Sequence, residues 1–107
     1  MVKEGEYAKA VLQNYFKLKE RCYLGDIDAT EALIDLERAI KLAELTERQR
    51  EALHYRYICD YTQEKCAEIL GISRITLLEH ERLALQAINE VYIMWAYRDE
   101  AEEMTQC

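Results

Sequence analysis

The stretch Thr62-Gln63-Glu64-Lys65-Cys66-Ala67-Glu68-Ile69-Leu70-Gly71-Ile72-Ser73-Arg74-Ile75-Thr76-Leu77 leaves the chain few ways to fold. It reads as one short helix, a three-residue turn and the start of a second helix set across the first. Thr62 is suited to cap the first helix by accepting from an orphan backbone N–H, and Gly71 to end it in the left-handed conformation without a Cβ penalty. Ser73 then caps the next helix. Two helices that cross steeply need a small residue at closest approach, here Ala67, and apolar residues to fill the angle, here Cys66, Leu70, Ile72 and Leu77. The small residue, the glycine four later and the apolar residue six after that have the spacing of a helix-turn-helix.

One domain is the natural count for 107 residues. Proline is absent, glycine occurs three times, and Ala, Leu, Glu, Lys and Arg are abundant, so the expected class is all-α. No apolar run reaches the length of a spanning helix and none follows Lys3, Glu4 and Glu6, so the expected location is the cytoplasm with no membrane contact. Cys22, Cys59, Cys66 and Cys107 form no CxxC pair and have no clustered histidine, which predicts reduced thiols and no metal site. The first three suit a core, and Cys107 is expected to be an exposed thiol.

The net charge is −7, which opposes phosphate binding, but it is unevenly spread. Residues 90–107 hold Glu90, Asp99, Glu100, Glu102 and Glu103 against Arg98 alone, a net −4. Residues 46–89 hold six basic and seven acidic side chains, close to neutral.

Along the chain, Tyr7, Ala8, Val11, Leu12, Tyr15, Phe16, Leu18, Cys22 and Tyr23 recur at the spacing of one amphipathic helix from about Gly5 to Tyr23. Its other side carries Lys9, Lys17, Lys19 and Arg21, the one local basic cluster. Gly25-Asp26 marks a turn, and Asp28 with Glu31 predicts a capping box for a second helix with Ala29, Ala32, Leu33, Leu36, Ala39, Ile40 and Ala43 buried. So short a connection predicts an antiparallel hairpin packed on the later helices. Thr46 and Gln49 predict a reciprocal box starting a third helix, which runs through Ala52, Leu53, Tyr57 and Ile58 and stops near Asp60-Tyr61. The last helix continues past the motif through Leu83, Ala84, Leu85, Ile88, Val91, Met94 and Trp95. Two fates fit this surface: folding back on the first two helices, or pairing with a second copy through Val91, Met94 and Trp95.

Leu45-Thr46-Glu47-Arg48-Gln49-Arg50-Glu51-Ala52-Leu53, Tyr57, the Gln63–Gly71 helix, Ile72-Ser73-Arg74 and Ala84-Leu85 together resemble the fourth conserved region of bacterial sigma factors. The likeness is closest to small phage or prophage regulators carrying this region behind a short helical N-terminus. It implies double-stranded DNA and the β-subunit flap of RNA polymerase as partners. Carried over by position, Arg74 matches a base-reading arginine, suited to fork onto a guanine edge. Ser73 and Thr62 match caps whose backbone N–H groups meet phosphates, and Glu81 matches a glutamate common in the family. Ile75, Leu78, Glu79 and His80 depart from it, standing where a glutamate, an arginine, a glutamine and an apolar core residue are usual.

The expected architecture is a helical bundle with a C-terminal helix-turn-helix and an extended last helix. Its segments are a helical hairpin (1–44), the motif region (45–89), and a helix extension with acidic tail (90–107). The expected DNA-facing residues are Thr62, Gln63, Ser73, Arg74, Thr76, Leu78, Glu79 and Arg82, with Arg48, Arg50 and Arg56 as further phosphate candidates. His54 and His80 have no carboxylate or nucleophile at a catalytic spacing, and no glycine-rich phosphate loop is present. That predicts neither enzyme activity nor a cofactor. A second reading fits the acidic charge and the apolar Ile75 and Leu78: a protein-interaction module that keeps the fold and binds polymerase, a sigma factor or another regulator.

Overall fold

The computed structural model describes residues 6–105, with side chains described over 7–98. Among the described residues the chain is all-α. The helices are α1 (Glu6–Gln13), α2 (Tyr15–Tyr23), α3 (Ile27–Leu42), α4 (Glu47–Leu53), α5 (Gln63–Leu70) and α6 (Arg74–Thr105), with a π-helical turn over His54–Ile58 after α4. None of them is long and apolar enough to cross a membrane.

α6 is the spine, with 32 residues and a length of roughly 48 Å at the usual helical rise. Its N-terminal turns pack on α5 and α4, and its later turns pack on α1 and α3. Leu77 joins Ala52, Cys66, Ala67 and Leu70 in one apolar cluster. Ala84, Leu85, Ile88 and Val91 join Ala8, Leu12, Leu36, Ala39, Leu45, Leu53 and Tyr57 in the other.

The first predicted helix is two helices. Asn14 leaves helical geometry at φ −98°, ψ 12°, and its side-chain amide donates to the Ala10 carbonyl at 2.8 Å. A side chain that competes for a helix carbonyl favours such a break. The single broad apolar face is also corrected. Ala8 and Leu12 are buried, whereas Phe16 and Tyr23 are exposed and α2 buries no residue.

The cap of α3 is Asp26, not Asp28: its carboxylate accepts from Ala29 N at 3.2 Å, and Asp28 lies in the first turn. Ala29, Leu36 and Ala39 are its buried residues. Thr30 Oγ1, 2.9 Å from the Asp26 carbonyl and 3.1 Å from Cys22 Sγ, ties α3 to the end of α2. Of the cysteines, Cys66 alone is fully buried among the described residues, while Cys22 and Cys59 are half-buried. Cys107 lies outside the described residues.

Thr46 and Gln49 form the predicted reciprocal box, with bonds of 3.2 and 3.0 Å. The helix then widens, with Cys59 N donating to the His54 carbonyl five residues back at 2.9 Å. Adjacent residues of an α-helix diverge by about 100°, yet here Arg56 and Tyr57 both reach Glu81 of α6. Tyr57 Oη donates to Glu81 Oε1 at 2.8 Å, and Arg56 Nε lies 3.6 Å from Glu81 Oε2. Glu81 is 6 % exposed. Burial, then the hydrogen bond and charge of Glu81, push the Tyr57 phenol well above its ordinary value.

Val91 is buried inside the chain and Trp95 packs against the same cluster, so two of the three residues expected at a dimer contact are used internally. Tyr92 meets Tyr7 edge-on at 4.8 Å, and the Arg38 guanidinium lies 5.6 Å from the Trp95 ring centre. The fold-back option therefore holds for Val91 and Trp95. Met94 remains 47 % exposed. The Tyr92 hydroxyl is buried without a hydrogen-bond partner, and burial raises its pKa to about 12.

Opposite outcomes are expected for the two tyrosines. Tyr57→Phe removes the donor to a buried carboxylate and is expected to cost about 1–3 kcal/mol in urea denaturation, whereas Tyr92→Phe removes an unpaired hydroxyl and is expected to stabilise by about 1 kcal/mol. Both phenols ionise less readily folded than unfolded. Their ionisation therefore costs no stability below the ordinary tyrosine pKa of about 10, and stability falls as pH rises beyond it. Each substitution should make the alkaline decline shallower.

Candidate nucleic-acid interface

The first two turns of α6 are placed by two caps and one crossing. Thr62 Oγ1 accepts from Lys65 N at 3.2 Å and starts α5. Gly71, at φ +67°, ends it. Ser73 Oγ accepts from Thr76 N at 3.1 Å and donates to Thr76 Oγ1 at 2.9 Å, starting α6. Ala67 is buried between the helices with Cys66, Leu70 and Leu77, and Tyr55 and Ile72 close the edges. The motif thus has the predicted caps and crossing.

Arg74 Nε donates to Gln63 Oε1 at 2.9 Å, which links the N-terminal residues of the two helices. Both helix starts therefore face the same rim, and both carry the partial positive charge of unsatisfied backbone N–H groups. The Gln63 bond uses Nε and orients the guanidinium, leaving its terminal nitrogens as donors of the kind that fork onto a guanine edge.

The outward positions of α6 come next along the helix: Ile75 is 81 % exposed, Leu78 is 36 % exposed, and Glu79 and Arg82 are also exposed. Arg82 binds Glu79 through Nη2 at 2.6 Å and Nε at 3.2 Å, and reaches Gln86 Oε1 through Nη1 at 3.2 Å. The Arg82 hydrogen bond holds the Glu79 carboxyl below its ordinary range. The expected residues are thus brought together in three roles. Thr62, Ser73 and Thr76 are engaged in capping, Gln63 and Arg74 form the rim, and Leu78, Glu79 and Arg82 continue the outward face.

The further phosphate candidates are corrected in part. Arg48 Nη1 donates to the Leu70 carbonyl at 3.2 Å, satisfying an orphan acceptor at the end of α5. Arg56 turns inward to Glu81 and donates to the Tyr61 carbonyl at 3.0 Å. Arg50 stays exposed. Sequence reasoning missed the Arg56–Tyr57–Glu81 cluster. Its signal was a carboxylate on the apolar stripe of Leu77, Ala84 and Leu85, a position that demands an internal partner.

Residues 42–90 match the family model described as Sigma-70, region 4. They form a sigma-70 region 4-like helix-turn-helix. Comparison with curated proteins and with solved structures returned no match. The region 4-like unit takes in the end of α3, all of α4, α5 and the first half of α6, so both apolar clusters draw on it. α1 and α2 lie outside it.

The turn of this unit is exposed to a simple test. A Cβ at Gly71 would meet nothing within 4 Å, so Gly71→Ala carries only the cost of a left-handed alanine, about 1–2 kcal/mol. Chemical denaturation should show that loss with helix content retained.

Proposed function

We propose that the chain is a DNA-binding transcription regulator that lays the first turns of α6 in the major groove. The observation that carries this reading is the Arg74–Gln63 hydrogen bond, which holds an exposed arginine between two helix N-termini inside a region 4-like unit. In this reading Arg74 reads a base edge and the N–H groups beside Thr62 and Ser73 meet phosphates. Glu79 reads a base only if Arg82 releases it, for instance to a phosphate. Few basic side chains remain for the backbone, so one copy alone binds weakly and gains its working affinity from a second copy or from polymerase.

A second reading has its own support. Ile75 and Leu78 present apolar surface beside a Glu79–Arg82 pair whose charges largely cancel, which suits a protein partner such as polymerase or a sigma factor.

Selection of bound fragments from random DNA at two salt concentrations separates the two. The DNA reading predicts recovery of a short motif and binding that weakens steeply with salt as counterions are released. It also predicts that Arg74→Ala relaxes one base position and costs about 1–3 kcal/mol. No motif at either salt, with polymerase present, would transfer the case to the protein-interaction reading.

A further inference from the structure

Protein interiors pack to the density of molecular crystals and leave few gaps large enough for a ligand. One such gap opens where the N-terminal helices meet the region 4-like unit. Leu12 of α1, Ile40 of α3, Leu45 of the α3–α4 connection, Leu53 of α4 and Ile58 of the π turn line a cleft of about 220 Å³. Leu12, Leu45 and Leu53 are buried, Ile40 and Ile58 are half-buried, and the first four belong to the larger apolar cluster. An engineered apolar cavity of about 150 Å³ holds one benzene molecule. A cleft half as large again takes a single ring with a short polar arm.

The rim of this cleft is basic. Arg50 and His54, one helical turn apart, complete its lining, and no carboxylate is among the described lining residues. Arg50 is exposed and forms no ion pair among the described residues, in a chain of net charge −7. His54 Nε2 lies 3.5 Å from Cys59 Sγ, which leaves Nδ1 for a second partner. Solubility explains an arginine on α4. It does not explain an unfilled apolar cleft beside an unpaired one, because a gap forfeits contacts that packing would otherwise supply.

We propose that this cleft binds a small carboxylic acid with an apolar body of about one ring, the ring against the leucines and isoleucines and the carboxylate on Arg50 and His54. A guanidinium takes a carboxylate through paired N–H donors, and an apolar wall strengthens the bond by excluding water. The lining disfavours other occupants. A cationic ligand would meet Arg50 with like charge, and a DNA phosphate would place no apolar group in the cleft. A partner helix lays several side chains along a groove, and this cleft has room for one. The site joins residues inside the matched 42–90 to Leu12 and Ile40 outside it, and the inference does not rest on the DNA reading.

The test is titration of the full chain, isotope-labelled at its leucine and isoleucine methyls, with phenylacetate, phenylacetamide, phenethylamine and acetate over about 0.01–10 mM. Phenylacetate is expected to shift the methyl signals of Leu12, Ile40, Leu53 and Ile58 saturably. Its neutral amide should bind about tenfold more weakly, phenethylamine more weakly still, and acetate should shift none of them. Arg50→Gln should remove the preference for acid over amide and leave the affinity for the amide unchanged, a split that a purely structural change would not produce. Ile40→Phe, which fills the cleft, should abolish binding of both, with circular dichroism checking that each variant folds. If Ile40→Phe unfolds, the Arg50→Gln comparison still decides. No saturable shift with phenylacetate, shifts confined to methyls away from the cleft, equal affinity for acid and amide, or an acid preference that survives Arg50→Gln would overturn the proposal.

Discussion

Glu81 lies on the buried stripe of α6 between Leu77 and Ala84, where its carboxylate has to find partners inside the protein. It finds them on one turn of one neighbouring helix: the Tyr57 hydroxyl donates to Oε1 at 2.8 Å, and the Arg56 guanidinium forms an ion pair at 3.6 Å that leaves Arg56 Nε and Glu81 Oε2 without a hydrogen bond. An ionised group so placed is costly unless paired, so α6 is held to the rotation and height that keep all three groups together. Arg56 and Tyr57, neighbours within the π turn over His54–Ile58, converge on that one carboxylate through their long side chains. Two turns earlier on the same helix is Arg74, whose direction relative to α5 is fixed by the same rotation.

The lengths of α6 then divide the work. Its first turns are capped, crossed by α5 and exposed outward, and its middle turns fill both apolar clusters. Its later turns are covered on one side by α1 and α3 and open on the other. A single element thus runs from the exposed N-terminal turns beside α5 to the turns packed on α1 and α3. The large apolar content of this helix, more than an isolated recognition helix needs, is explained in part by the N-terminal helices that pack on it.

Much of this was legible in the sequence wherever a local rule and a packing rule agreed. Thr46 with Gln49, Thr62, Gly71 and Ser73 are positions where side-chain chemistry alone sets a helix boundary, and each holds. Ala67, Cys66, Leu70 and Leu77 were readable as the crossing because spacing leaves them no other side to face. The break at Asn14 was not, because Tyr15 and Phe16 continue the apolar period across it. The cap at Asp26 was not, because Asp28 has the box partner Glu31 three residues on, whereas Asp26 caps through the Ala29 backbone N–H alone. The pairing of Arg82 with Glu79 and the inward turn of Arg56 depend on rotamers and on a π turn that periodicity does not encode.

The most direct measurement is chemical interference on a bound DNA fragment, with guanines methylated at N7 in the major groove and adenines at N3 in the minor groove. If α6 is held for major-groove reading, N7 methylation at one or two guanines abolishes binding, N3 methylation leaves it intact, and Arg74→Ala erases the N7 effect. Interference confined to N3 positions, or an N7 pattern unchanged by Arg74→Ala, would contradict the account.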